Sequence, residues 1–110
     1  MSSLGKRVDW EPLRSRNGAT FNAAYQTLGG PLEHECFLVK IVNQSGVDIF
    51  ISIDGVTDID VCPAGSFFLY DETTNSSREA GMVVHRGTQF WVKGTVTVGL
   101  VYLVTQFAAT

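Results

Sequence analysis

Three carboxylates, Asp54, Asp58 and Asp60, fall within the seven residues DGVTDID, close enough along the chain to hold a hard cation between them. A helix–loop–helix calcium loop, however, needs oxygen ligands at alternate positions followed by a distal Glu, and DGVTDID does not match it. In a strand, Asp58 and Asp60 alternate outward around an inward Ile59 and Val61, which is enough to explain the spacing. No structural metal is expected there. His34 sits between Glu33 and Glu35, two residues before Cys36, and His85 sits in VVHRGT. Neither has a His or Cys partner at a metal-binding spacing. A nucleophile needs a Gly-x-Ser-x-Gly elbow or a Cys with a positioned His, whereas Ala64-Gly65-Ser66-Phe67 reads as a turn leading into a strand. No helix is predicted, so no phosphate-cradling loop opens one. The chain is therefore expected to be neither an enzyme nor a cofactor carrier.

The elements that would position these residues are short and extended. At 110 residues, with 45% hydrophobic and 17% charged side chains, the chain reads as one folded domain. The N-terminus lacks an apolar run for a signal peptide, and no stretch is long enough to span a membrane, so a protein made in the cytoplasm, neither secreted by a signal peptide nor membrane-spanning, is expected. On that reading Cys36 and Cys62 are reduced and buried rather than bridged, and the Asn43-Gln44-Ser45 and Asn75-Ser76-Ser77 sequons are turns. From Ala19 onward, segments rich in β-branched and aromatic residues alternate with Gly, Pro, Asn, Asp and Ser clusters. Strands are predicted over 20–28, 36–43, 47–54, 58–62, 66–71, 80–85, 88–94 and 97–107. Connections this short require antiparallel hairpins. The predicted fold is all-β, an antiparallel β-sandwich of jelly-roll type or a small barrel, over residues 19–110.

Residues 1–18 read differently. They lack periodicity, contain Pro12 and the turn pair Asn17-Gly18, and still carry Val8, Trp10 and Leu13. An extended N-terminal arm that lays these side chains into a partner's groove is expected. Lys6, Arg7, Arg14 and Arg16 would flank the anchors and pair with carboxylates on that partner. These four stand against Asp9 and Glu11, while the rest of the chain holds four basic and nine acidic residues. Basic residues this sparse do not suggest nucleic-acid binding.

Several strands are apolar on both faces. Phe67 and Leu69 oppose Phe68 and Tyr70; Phe90 and Val92 oppose Trp91; Leu100, Tyr102 and Val104 oppose Val101 and Leu103. A two-layer sandwich buries one face of each sheet, so the second face needs its own cover: the arm, a second copy or another protein. Edge strands curling over the sandwich ends would hide the same residues internally. Phe68, Tyr70 and Trp91 are the expected partner-binding side chains of the body.

The Trp10-bearing arm, the run NQSGVDIFISIDGVTDIDVCPAGSFFLYDETTNSS and the later GTQFWVKGT and GLVYLV resemble small all-β head decoration proteins, the cement or staple proteins of short-tailed bacteriophages. The resemblance covers residues 17–110 in pattern and length. It implies a virion protein, often a homodimer or other homo-oligomer, that sits outside the capsid, contacts the major capsid protein and ties neighbouring capsomers together with extended termini. Two other readings are a head–tail or tail adaptor of the virion, and a carbohydrate-binding module that stacks sugars on Trp91 and Tyr70.

Overall fold

A computed structural model describes residues 8–71 and 84–108. Among these the strands are β1 (Val8–Trp10), β2 (Arg14–Asn17), β3 (Gln26–Thr27), β4 (Cys36–Asn43), β5 (Ile49–Ser52), β6 (Asp60–Cys62), β7 (Phe67–Asp71), β8 (Trp91–Lys93) and β9 (Leu100–Ala108). Every pairing between them is antiparallel. The first sheet runs from an edge made by β1 and β2, through β9 and β4, to β7; the second has the order β3-β8-β5-β6. The pairs are nested, β5 with β6, β4 with β7, β3 with β8, and β1 and β2 with β9. The chain thus folds as one long hairpin about the β5–β6 turn, with successive pairs alternating between two sheets.

Alternation decides what goes inside. Val39 and Ile41 of β4 and Val101 and Leu103 of β9 meet Ile49 and Ile51 of β5 and Val92 of β8, all wholly buried. Each such side chain contributes about 1.5–3 kcal/mol of hydrophobic stabilisation, so the core needs no covalent staple. Cys36 and Cys62 are both buried and free. At the end of β4 a polar side chain joins the layers. Asn43 Nδ2 donates to the carbonyls of Val47 and Cys62, both at 2.9 Å, while its Oδ1 accepts from the Ser45 amide and hydroxyl. The Asn-Gln-Ser turn is therefore a fully satisfied buried plug between the first sheet and β6.

The predicted strand over 36–43 coincides with β4, while others are shorter. The strand expected over 20–28 contracts to β3 because Asn17 and Asn22 each bond a backbone amide two residues ahead, folding local turns that compete with a ladder. The strand expected from Thr97 begins at Leu100, since Gly99 has φ +96° and a Cβ there would meet the Gln44 carbonyl. Most of the strand expected over 80–85 lies outside the described residues; Val84 forms an isolated bridge with Cys36. Val61 does not point inward. The register pairs Ile49 with Cys62, which buries Cys62 and leaves Val61 opposite Phe50, both exposed.

The N-terminal segment is extended, as expected, but it is no free arm where it is described. β1 pairs with Phe107 and its neighbours, and β2 pairs with residues 100–103. Trp10 faces Gln106 and Arg14 faces Leu103, so three residues on the edge oppose two on β9. That is a bulge, and it falls at Pro12, which has no amide to give the ladder.

Asn43→Ala is expected to leave the Val47 and Cys62 carbonyls and the Ser45 amide without their buried partner, lowering unfolding free energy by about 2–4 kcal/mol. Urea titration checks this; a loss below about 1 kcal/mol would mean that the plug is dispensable.

Candidate functional site

The bulge is where the chain's most enclosed charges meet. Glu11, opposite Thr105 on the inward side of the edge strand, has a side chain with no solvent exposure. Its carboxylate binds Arg14 Nη2 at 2.9 Å and His34 Nδ1 at 2.7 Å, and accepts from the Glu33 amide at 3.0 Å and the Thr105 hydroxyl at 3.3 Å. Arg14, one tenth exposed, also donates from Nε to the Gly30 carbonyl and from Nη2 to the Pro31 carbonyl. The His34 ring stacks on Phe107 with centroids 3.6 Å apart. Burial pushes the Glu11 carboxyl up, but the bonds from His34, Arg14 and the Glu33 amide outweigh it and hold it below its ordinary 4.5.

Beside this cluster lies Cys36, the one juxtaposition that looks like chemistry. Its thiol donates to the His34 carbonyl at 3.4 Å. Burial first, and then the Glu11 charge, push the thiol up to about 11. It stays protonated at neutral pH, so Glu11, His34 and Cys36 act as a fastening and not as an activated nucleophile.

Arg14 and Arg16, expected to reach a partner, are occupied within the chain. Arg16 Nε donates to the Thr27 carbonyl at 2.6 Å, and its Nη1 reaches the Thr20 hydroxyl at 2.9 Å. Both arginines therefore bridge from the edge of the first sheet to the 20–31 segment that leads into and out of β3. Lys6 and Arg7 lie outside the described residues. The apolar anchors take the other side. Val8 and Trp10 are exposed opposite Ala108 and Gln106, and Leu13 is exposed at the bulge.

Trp10 thereby joins the outer face of the first sheet. On β9 that face presents Leu100, Tyr102 and Val104, and on β4 Leu38 and Val42. On β7 it ends in Phe67 and Leu69, which are 60% and 46% exposed. Lys40 stands at its middle, opposite Leu69 on one side and Val104 on the other. Among the described residues no carboxylate pairs with it. The expectation for β7 is thus inverted. Phe68 and Tyr70 face the core, across from Ile41 and Val39, and line an apolar opening of about 360 Å³ with Ile53, Ile59 and Val84. Phe67 and Leu69 are the outward pair.

The DGVTDID carboxylates do not converge; each has a separate structural task. Asp54 Oδ1 accepts from the Val56 and Thr57 amides and the Ser52 hydroxyl, which hold its carboxyl far below the usual range. Asp58 accepts from the Tyr25 hydroxyl and pairs with Lys93 at 3.3 Å, and these bonds lower its carboxyl as well. Asp60 accepts only the amide of its neighbour Val61. Gly55, at φ +80°, lies so close to Trp91 that a Cβ there would sit 3.2 Å from the indole. Trp91 is therefore the half-buried floor of a stiff turn. It lies on the second sheet and Tyr70 on the first, so the two do not form a sugar-stacking platform.

No protein-family model matches this chain, and no curated protein or solved structure matches it either.

Three outcomes follow from the Glu11 cluster and its neighbour Cys36. The carboxylate is favoured in the fold, so its stabilisation is complete above pH 4.5 and is lost as pH falls through the lowered folded value. Thermal melts from about pH 7 to about pH 3 should show a steeper acid loss in the native chain than in Glu11→Gln. Parallel acid limbs would remove Glu11 from the account. At neutral pH, Glu11→Ala leaves Arg14 buried without its counter-charge and is expected to cost about 3–5 kcal/mol by urea unfolding. Cys36 should resist thiol reagents until the chain unfolds; rapid labelling of the native protein at Cys36 would contradict its enclosure.

Proposed function

We propose that this chain is a structural virion protein that binds the outside of a bacteriophage capsid and ties neighbouring capsomers together. The observation that carries the reading is the outer face of the first sheet, where Trp10, Tyr102, Val104, Phe67 and Leu69 extend across four strands around Lys40. An apolar sheet face of this breadth, rimmed by polar residues, is suited to docking on protein. Two further features support it. The nested pairing of strands across two antiparallel sheets is compatible with a jelly roll, an architecture that recurs in capsid and lectin domains. Among the described residues the buried Glu11 carboxylate and Cys36 thiol brace the fold, with the thiol held protonated.

In this reading the face, and not a loose basic arm, makes the principal contact. Trp10 and Phe67 lie at its two edges and serve as anchors, and the capsid lattice multiplies a modest contact into firm attachment. Intact phage particles labelled with a gold-conjugated antibody to the chain should carry label over the whole shell. Label confined to the tail or to one vertex would replace decoration by an adaptor role, and unlabelled particles would end the virion reading. Phe67→Ser should weaken binding to undecorated shells by at least about tenfold, since an interface aromatic contributes roughly 2 kcal/mol, without lowering the melting temperature. Unchanged binding would exclude this face.

A further inference from the structure

The outer face of the second sheet carries a cavity of about 590 Å³, lined among others by Asn22, Asp48, Phe50, Lys93 and Thr95. Alternation puts Phe50 there. Its neighbours Ile49 and Ile51 are wholly buried, so its ring points outward and stays 41% exposed. Lys93 lies opposite Phe50 on β8, next to the inward Val92, and faces the same side. Its ammonium pairs with Asp58 at 3.3 Å and stands 4.6 Å from the Tyr25 ring centroid and 5.7 Å from that of Phe50. Just past the paired residues, Gly94 lets β8 close on the start of β5. A Cβ there would meet the Asp48 carbonyl at 3.2 Å and the Phe21 ring at 3.4 Å.

The polar groups around the ring are held through one atom and open at another. Asn22 Oδ1 accepts from the Ala24 amide at 2.7 Å, and Asp48 Oδ1 accepts from the Ala64 amide at 3.0 Å. Asn22 Nδ2, Asp48 Oδ2 and the Thr95 hydroxyl have no partner among the described residues. A donor, an acceptor and a hydroxyl thus surround an exposed aromatic ring. A pyranose complements that set: its C–H face stacks on an aromatic side chain, and the hydroxyls at its edge each donate and accept. A purely apolar ligand would strip water from the amide and carboxylate and give nothing back. Asp48 and Asp58 outnumber Lys93 around the cavity, which disfavours an anionic ligand.

We infer that this cavity binds a neutral sugar, with Phe50 stacked on the pyranose ring and Asn22, Asp48 and Thr95 bonding its hydroxyls. One sugar in an open cavity makes few contacts, so the binding is of the millimolar class, and it becomes effective where many copies are displayed together. The cavity lies on the sheet opposite the proposed docking face. A chain docked through its first sheet would therefore turn the cavity away from the surface it covers, towards any glycan in the surroundings. The inference stands on the cavity alone and does not require that the docking partner be a capsid.

Amide chemical-shift titration of the isolated chain tests it, using the methyl glycosides of glucose, galactose, mannose, fucose and N-acetylglucosamine, with N-acetylneuraminate as the acidic comparison. At least one neutral glycoside should give saturable shifts below about 100 mM, centred on the amides of Asn22, Asp48, Phe50 and Thr95. N-acetylneuraminate should bind more weakly than that glycoside. Phe50→Ala removes the stacking ring from an outward position. Asp48→Asn keeps an oxygen for the Ala64 amide and replaces the free acceptor by a donor. Each should raise the dissociation constant at least about fivefold, while the spectrum away from the cavity shows the fold unchanged. The inference is overturned if no neutral glycoside gives saturable shifts, if the shifts centre elsewhere, or if the acidic sugar binds more tightly. Binding unchanged in either variant overturns it too. Because the isolated chain is titrated, these outcomes are separate from those of the particle labelling.

Discussion

A carboxylate sealed from water at a strand bulge is the constraint around which one side of this sandwich is organised. Taking Glu11 out of solvent costs several kcal/mol unless its charge is met, and here Arg14, His34, the Glu33 amide and the Thr105 hydroxyl meet it. The groups that satisfy it come from the edge strand, from the segment before β4 and from β9. Satisfying the charge therefore fixes the relative position of all three. Alternation along β1 turns Glu11 inward, the bulge at Pro12 brings Arg14 to the same side, and Arg14 and Arg16 then close the gap towards β3. The side of the sandwich next to β6 and β7 is closed differently, by Phe68, Tyr70, Ile53 and Ile59 around an apolar opening.

With polar groups turned in along the first edge, its apolar groups turn out. Trp10 and Val8 face solvent because Glu11 and the arginines do not, and they extend an outer face already apolar across β9, β4 and β7. On the second sheet the carboxylates perform the converse task. They spend their hydrogen-bonding capacity on holding a turn, and the turn exhibits aliphatic side chains. Charge in this protein is used to build shape, and apolar surface is presented outward.

How much of this the sequence disclosed depends on where period and register agree. CFLVKIVN is apolar and β-branched between turn signals, so its strand is legible to the residue, although a bulge between Cys36 and Leu38 breaks its alternation. The segment 8–17 was illegible as a strand because its inward positions hold Glu11, Arg14 and Arg16, where periodicity looks for aliphatics, and because the bulge breaks the period at Pro12. In FFLYD both faces are apolar, so alternation alone cannot choose between them. Pairing of Tyr70 with Val39 and Phe68 with Ile41 makes that choice, and it is a property of the neighbouring strand. The Asn43 turn was readable as a turn, but its role as a buried link between sheets needs the Cys62 carbonyl, nineteen residues away. The Glu11 cluster had a faint signal, a His two residues from a Cys, and nothing in the local sequence pointed from His34 back to Glu11.

The central claim is that residues 8–17 are an edge of the sandwich, locked by an enclosed charge, and not a tether in solution. Native-state amide hydrogen exchange measures this residue by residue. The Glu11 amide, bonded to the Thr105 carbonyl, and the Gly18 amide, bonded to the Gly99 carbonyl at 2.8 Å, should exchange slowly at neutral pH, within about the range of protection seen across β4. Exchange of both at the rate of an unstructured peptide, while β4 stays protected, would show a free arm beside an independently closed sandwich and contradict the account.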